Sequence, residues 1–559
     1  MIEGTTTEAP IRPKGLPRSL EYPALPVTGL LRGTAATFPE RIALREGDET
    51  LTFAELLAAS SRLAHALRRA GVRERDVVAL HAPNGMYHPI GWFGILLAGG
   101  TVSLFSPLQP ASALERQLRE TNAVAAVTHP DCADALREAV GDLFNLVVTL
   151  PGSAATDSTD GPGGYTELVE GLPSEPPEVS VSPEDTALLA YTGGTTGNPK
   201  PVQLLHRNVL ANLLSMACWR AGTLPEVHGA EIRLREIPET AEYPVRIGHS
   251  VGLILSPLYH QHALMNLNLM VAVGATAIIA GRFDPVRTLD LVEQYGVDYM
   301  TTAPAAYHAL LGVPDIADRD LSSVRSLTSG AAPMGTAMHA ALKEAFPNGI
   351  VLEGYGLTEA TSTATFPPTT PEGERRIGTV GVPVFDTVIE IRDLRNPELV
   401  LPTDTDGEVW IRGPQVAAGY LGHPELTAEQ FPGGWLRTGD IGRLDADGYL
   451  AITGRLKEML IYKGYNVYPR ELEELLTAID GVKQAAVVGR PEPVVGERAV
   501  AFVVADPAAG LTGDGLRERV ASQVPPYKRI SEVVFVDQLP TTPTGKILKT
   551  ELKERLTHA

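Results

Sequence analysis

The chain is predicted to be an α/β protein of at least two domains, on three observations. From about Leu51 onward, helical patterns alternate with short apolar runs, as in parallel or mixed sheets covered by helices. The length of 559 residues exceeds what one hydrophobic core organises. The texture also changes twice: to shorter, more β-rich pieces from Val380, including GEVWIRG (Gly407 to Gly413), and again near Arg455 to Glu458. About a hundred residues follow that second change, enough for a small α/β domain.

Each element follows from its own pattern. Phe53 to Ala70 (FAELLAASSRLAHALRRA) repeats apolar residues at helical spacing, and Gly71 ends it. Val77 to His81 (VVALH) reads as a buried strand. A small-residue helix then runs through Ala98, and Thr101 to Phe105 is the next strand. Pro151 to Pro183, rich in Gly, Ser, Pro, Asp and Glu, is a loop. Thr186 to Tyr191 (TALLAY) is another buried strand. Gly222 to Gly248 is polar and charge-rich and reads as a surface excursion. Val251 to Gly281 contains no Asp, Glu, Lys or Arg, but Pro257, His260, His262, Asn266 and Asn268 interrupt it. A bilayer span would have to satisfy all of these without water, so the segment is expected to form buried strands and a helix of the core. Beyond the second boundary come an amphipathic helix (Pro469 to Ile479), a βαβ-like stretch to Phe535 and a basic helical tail.

Composition narrows the function classes. With 44% hydrophobic and 20% charged residues the chain reads as globular. A formal charge of −20, from 47 basic against 67 acidic residues, argues against non-specific binding to nucleic acid or anionic membrane. An anionic ligand must then be held by a local constellation. Two cysteines, Cys132 and Cys218, are too few for a disulfide framework or zinc cluster, and the polar N-terminus lacks the apolar core of a signal peptide. A cytoplasmic location is expected.

Tyr191 to Lys200, YTGGTTGNPK, is the most informative segment. Glycines let backbone N–H groups crowd around an anion, threonine hydroxyls add donors and Lys200 adds a charge, which together make a phosphate cradle. It is not the Walker loop, because Lys200 follows Pro199 and Pro201 stands where that motif needs Ser or Thr. The apolar strand before it favours a strand–loop–helix phosphate site. In EGYGLTE (Glu353 to Glu359) two glycines bracket Tyr355, so the backbone can approach a flat ring, while Thr358 and Glu359 suit phosphate and Mg²⁺. SGAAP (Ser329 to Pro333) places small residues against such a ring. In WLRTGD, Asp440 is a carboxylate able to accept ribose hydroxyls, and Arg455 follows about fifteen residues later. PTTPTGK presents Lys546 on a Gly-containing turn. Alone, each piece is matched by a plain reading: a surface turn, a tight turn, a solvated lysine. Gly248 to Gly252 (GHSVG) also matches the hydrolase elbow, but VGLILSP after it looks like a strand where an elbow needs a helix. His260 and His262 hint at a metal but lack further ligands at sensible spacing.

Taken in order, these strings resemble the acyl-adenylate-forming superfamily, in its acyl-CoA synthetase, coumarate–CoA ligase and luciferase branch. SPLYH (Ser256 to His260), GEVWIRGPQVAAGYLGHPELTAEQF, GRLKEMLIYKGYNVYPRELE (Gly454 to Glu473) and LPTTPTGKILK support it, and the likeness runs from about Leu31 to the C-terminus. The resemblance implies a large N-terminal domain, 1–454, of two α/β sheets plus a β-rich subdomain, and a small mobile C-terminal domain, 455–559. It implies ATP-dependent activation of a hydrophobic carboxylic acid to acyl-AMP, then transfer to CoA, or alternatively to a carrier-protein thiol or an amine. By that likeness Thr192, Gly193, Gly194, Thr195, Thr196, Gly197 and Lys200 hold the β- and γ-phosphates. Gly330, Ala331, Ala332, Glu353, Gly354 and Tyr355 are nucleotide positions. Thr358 meets the α-phosphate, Glu359 with Thr196 the Mg²⁺, and Asp440 with Arg455 the ribose. Lys546 bridges the substrate carboxylate and α-phosphate. Lys457 is the hinge, and rotation there brings Lys463 and Gly464 to the thiol channel. His260, Ala303, Tyr307 and Met334 line the acyl pocket. Three features depart from the pattern: Pro201 replaces a glycine, Ile461 stands where many relatives carry a lysine, and Gly222 to Gly248 is longer than usual.

Overall fold

The computed structural model describes residues 11–152, 164–191, 199–238, 243–330, 334–463, 465–492, 494–542 and 546–558. Two seven-stranded sheets form its bulk. One runs Ile350–Glu353, Ser326–Ser329, Tyr299–Thr302, Val251–Ile254, Thr276–Ile279, Ile42–Glu46, Glu49–Thr52, all parallel until the last pair. The other runs Gly419–Tyr420, Pro201–Leu205, Thr186–Tyr191, Thr101–Phe105, Val77–His81, Ala125–Thr128, Leu146–Thr149. Its first two pairings are antiparallel and the rest parallel.

The helices between these sheets explain the charge-free stretches. Tyr87–Leu97 is buried at ten positions and Gln261–Ala272 at eleven, so neither has a solvent face to carry charge, while His206–Ala221 is buried at all but one position, the exposed Arg207. Trp92 donates from Nε1 to Asn268 Oδ1 at 3.0 Å, giving the buried indole its partner. Phe53–Arg69 is amphipathic and starts at a capping box: Thr52 accepts from the Glu55 amide while the Glu55 carboxylate accepts from that of Thr52. Among the described residues no helix is long and apolar enough to cross a membrane, and Val251 to Gly281 forms two strands and a helix.

After Val380 the chain builds a four-stranded antiparallel sheet, Val388–Arg392, Gly407–Arg412, Leu436–Leu444 and Leu450–Arg455. The final segment has its own core around Leu472, Val487, Ala501 and Val520. Its sheet is Tyr465–Val467, Leu460–Tyr462, Gly496–Ala505 and Val482–Glu492, with Glu532–Phe535 parallel to Gly496–Ala505.

Three expectations need correction. The phosphate loop is not followed by a helix. Pro201–Leu205 continues as a strand paired antiparallel with Thr186–Tyr191, Tyr191 opposite Pro201, and the helix starts only at His206. Proline is tolerated as the first residue of a strand, and PVQLL is apolar enough to be buried there. Gly222 to Gly248 is more than a surface excursion. Thr223–His228 and Glu231–Glu236 form a hairpin whose Ile232 joins the main core, and Tyr243, Val245 and Ile247 are buried. The amphipathic helix spans Pro469–Thr477, two residues shorter than expected.

Candidate active site

In an open α/β sheet, ligands bind beyond the carboxyl ends of the parallel strands. Four adjacent strands of the first sheet release the predicted residues there. Val251–Ile254 leads to His260, Tyr299–Thr302 to Ala303, Ser326–Ser329 to Gly330 and Met334, and Ile350–Glu353 to Gly354 and Tyr355. Gly354 is pressed against Phe366, whose ring would lie 2.6 Å from a Cβ placed there, so a side chain at this turn would displace an aromatic core residue.

Tyr355 donates its hydroxyl to Asp440 Oδ2 at 2.7 Å, and Arg455 Nε stands 2.9 Å from Asp440 Oδ1. Asp440 and Arg455 face each other across neighbouring strands, which explains their fifteen-residue separation. Asp440 is only 5% exposed, and its charge leads the effects that raise the Arg455 pKa. Lys546 joins this group from the far end of the chain. Its amide donates to Thr542 Oγ1 and its carbonyl accepts from the Thr542 amide. Burial lowers the pKa of its ammonium, and Arg455 lowers it further, while Glu458 and Asp440 act in the opposite sense. Lys549 steadies the same segment, bonding Glu458 at 2.7 Å and Glu473 at 2.8 Å.

Glu359 is half-buried and accepts from the Tyr420 hydroxyl at 2.8 Å. Burial pushes its pKa up, and the tyrosine bond pulls the other way. Tyr420 lies on the short strand paired with Pro201–Leu205, so one strand ties Glu359 to the end of the phosphate loop at Lys200. Magnesium habitually takes one or two protein carboxylates and completes its shell with water and substrate phosphates. A single carboxylate tied through Tyr420 to the strand that follows Lys200 fits that habit. Among the described residues no cluster of three or more His, Cys, Asp or Glu offers an all-protein metal site.

Other predicted residues are placed less directly. Glu353 is turned inward, accepting from the Met334 amide at 3.3 Å and lying 3.9 Å from His339 Nε2. Tyr307 is fully buried, and its hydroxyl donates to the Met300 and Thr328 carbonyls, so core packing already accounts for it. His260 precedes the helix Gln261–Ala272 with its ring 4.6 Å from that of Tyr259, and burial depresses its pKa to about 4. Thr358 is half-buried beside Glu359. Lys457 is exposed. Lys463, also exposed, has a left-handed φ of +49°, and its amide donates to the Val495 carbonyl. Thr192, Gly193, Gly194, Thr195, Thr196, Gly197, Ala331, Ala332 and Gly464 lie outside the described residues. The hydrolase reading fails: Ser250 is fully buried, bonds Asp298 at 2.9 Å and is followed by the strand Val251–Ile254.

Sequence reasoning missed Tyr420, whose signal was its place in the GYLGHPE string. It also missed Lys549, three residues beyond Lys546, and Arg220, which has no local sequence signal at all.

Comparison with known proteins agrees with this geometry. Residues 31–421 match the family model described as AMP-binding enzyme, and residues 471–546 match the AMP-binding enzyme C-terminal domain. The 4-coumarate–CoA ligase 5 of Oryza sativa subsp. japonica is 34% identical over 516 residues, covering 91% of this chain and 90% of that protein. ATP-bound MatB from Rhodopseudomonas palustris has a TM-score of 0.83 at 26% identity, covering 95% of this chain and 99% of that one; its apo form scores 0.76. The amide bond synthetase McbA from Marinactinospora thermotolerans has a TM-score of 0.80 at 26% identity, covering 95% of this chain and all of that one. With matching family models over most of its length, this chain belongs to the AMP-binding enzyme family.

Proposed function

We propose that the protein activates a carboxylic acid with ATP and passes the acyl group to CoA, as an AMP-forming acyl-CoA synthetase. The observation that carries this reading is the bonded cluster of Tyr355, Asp440 and Arg455, a hundred residues apart in sequence at its extremes, within electrostatic reach of Lys546. An oxygen of the acid attacks the α-phosphorus of ATP in line, the bond to pyrophosphate breaks, and acyl-AMP remains. Lys546 neutralises charge on the transferring centre. Lys200 and the loop Thr192 to Gly197 receive the departing pyrophosphate. Asp440 and Arg455 hold the ribose, and Gly330, Gly354 and Tyr355 flank the base. Mg²⁺, held by Glu359 and Thr196, would supply further neutralisation of the phosphates.

In the second half-reaction the CoA sulfur attacks the acyl carbon, the C–O bond to AMP breaks, and AMP leaves. We assign residues 1–454 to an adenylation domain and 455–559 to a small domain turning at Lys457, which exchanges Lys546 for Lys463 and Gly464. The Lys546-in arrangement and the higher similarity to the ATP-bound form support the first half-reaction as the state described. The acid is hydrophobic in its body, with His260, Ala303 and Met334 along its channel.

An amine acceptor is the second reading. It is favoured by the likeness to an amide bond synthetase and by Ile461, half-exposed where many relatives carry a lysine. ATP–pyrophosphate exchange over a panel of acids tests the activation step, and mass spectrometry of products with CoA, carrier protein or amine identifies the acceptor. Lys546→Ala should slow exchange roughly 10²–10³-fold, the scale of one transition-state donor. Exchange near the wild-type rate in that variant would refute the assignment.

A further inference from the structure

A buried arginine without a counter-ion lies behind the nucleotide turn. Arg220 is 4% exposed, on a helix buried nearly all round. A guanidinium carries five N–H donors, and taking its charge out of water is costly unless an anion meets it. Both hydrogen bonds of Arg220 leave from one terminal nitrogen, to Asn266 Oδ1 at 3.0 Å and to the Tyr299 hydroxyl at 2.6 Å. Tyr299 in turn donates to the same Asn266 oxygen at 2.7 Å, so the two acceptors are neutral and shared. Phe366 covers one face of the guanidinium, 4.2 Å from its ring centre. Among the described residues no carboxylate pairs with Arg220, and Nε and the other terminal nitrogen have no acceptor.

The surroundings tell which part of the molecule these free donors adjoin. Phe366 is the ring pressed on Gly354. Asn266 lies one helical turn beyond His262 and donates to its carbonyl at 2.7 Å. His262 Nε2 is 3.4 Å from Thr301 Oγ1 and 3.1 Å from where a Cβ of Gly330 would stand. Tyr299 begins the strand that ends before Ala303. Arg220 is therefore ringed by the helix and strands whose ends carry His260, Ala303, Gly330 and Gly354, the group assigned above to the acid and the base. Burial and the Arg220 charge together depress the His262 pKa to about 4, which leaves the guanidinium as the cation of this floor.

We propose that Arg220 receives a second, distal carboxylate of the substrate, so that the preferred acid carries two carboxylates, one activated by ATP and one held in the plane of the guanidinium. This rests on the adenylating function proposed above. An apolar body between two carboxylates satisfies both the apolar core around the site and its cationic end.

The test is ATP–pyrophosphate exchange with matched pairs of acids, each pair equal in length and differing only in a distal carboxylate or methyl group, over aliphatic and aromatic bodies. Wild-type protein should favour the dicarboxylate of one length by at least roughly tenfold in kcat/KM. Arg220→Met should collapse that preference by roughly tenfold or more, to none, and Arg220→Lys should retain part of it. The wild-type comparison decides even if neither variant folds. Exchange with monocarboxylates and none with any dicarboxylate overturns the proposal and leaves the adenylating function standing. The same holds for an unchanged preference in a folded Arg220→Met protein. No exchange with any acid overturns both.

Discussion

Asp440→Asn probes the nucleotide site at its narrowest point. The carboxylate accepts from the Tyr355 hydroxyl at 2.7 Å and from Arg455 Nε at 2.9 Å while only 5% exposed. Asparagine keeps the volume but exchanges one acceptor oxygen for a donor. The amide oxygen can still serve Arg455, and the Tyr355 hydroxyl can turn to accept from the amide nitrogen, so both protein contacts survive in neutral form. The ribose hydroxyls then share one neutral acceptor where they had an anion. At an effective dielectric of about 20, unit charges at that Arg455 separation attract by about 6 kcal/mol. Arg455 is 42% exposed, however, and solvent screening removes most of this. A hydrogen bond to a charged group, about 1.5–3 kcal/mol, is the better measure. That corresponds to a rise of about 10–150-fold in KM for ATP, with kcat less affected because Lys546 and the phosphate loop are untouched. The assay is pyrophosphate exchange with ATP titrated at saturating acid, with thermal unfolding as the control for folding. A folded variant whose KM for ATP stays within about twofold of wild type would refute the ribose assignment.

Three further outcomes are expected. Lys546 acts as a cation and its pKa is lowered in the folded protein, so exchange should fall as pH rises through that lowered value, earlier than for an ordinary lysine. Lys546→Arg, slower but always charged, should lose this alkaline limb; a limb of equal position in both proteins would exclude Lys546 as its source. Lys457→Pro, with Lys546 already beside Asp440 and Arg455, should spare exchange and suppress thioester formation, and equal loss of both half-reactions would count against a hinge there. His88 is 1% exposed with neither ring nitrogen partnered among the described residues, and burial holds its pKa at about 3. Its folded pKa lies below the unfolded value of about 6.5, so the unfolded state binds the extra proton. Stability is therefore lost as pH falls from about 6.5 toward 3, by about 1.4 kcal/mol per pH unit from this residue. His88→Phe should flatten the acid limb of chemical denaturation by that slope, and superimposable curves would show that His88 does not titrate on unfolding.

What was legible in the sequence was what local pattern and motif order encode. TALLAY, VVALH and TVSLF lie in strands with the expected limits because each is a short apolar run between turn residues. The loop-to-helix expectation failed because a glycine-rich loop looks alike before a strand or a helix. Only the pairing of Tyr191 with Pro201, a tertiary fact, decides between them. Arg220 could not be foreseen at all. In sequence it is a cation near the end of an apolar helix, where a solvent-facing charge is ordinary, and its burial depends on Phe366, Tyr299 and Asn266, up to about 150 residues away. Motifs mark the chemistry shared by a family, whereas the residues that choose one acid are set by packing.

The charge arrangement around Lys546 bears on the order of the two half-reactions. Glu458, Glu473 and Lys549 all follow Lys457 in sequence, so their ion pairs stay intact in a rotation there and the turn holding Lys546 travels as a unit. On the proposed hinge, rotation gives up the electrostatic effect of Arg455 and Asp440 on Lys546, the packing of Tyr468 on Gly454, and the few contacts between Pro469–Thr477 and the strand Leu450–Arg455. Lys546 and Arg455 repel each other, and the carboxylates that oppose this, Asp440 and Glu458, are shared with Tyr355 and Lys549 respectively. The anionic phosphates of ATP add negative charge beside both cations, so on the proposed function nucleotide binding favours the Lys546-in state. Departure of pyrophosphate removes most of that charge at once and leaves the acyl-adenylate with a single ionised phosphate oxygen. The repulsion then returns while the acyl-adenylate stays bound, so the domain is biased to turn at the step where the thiol is needed.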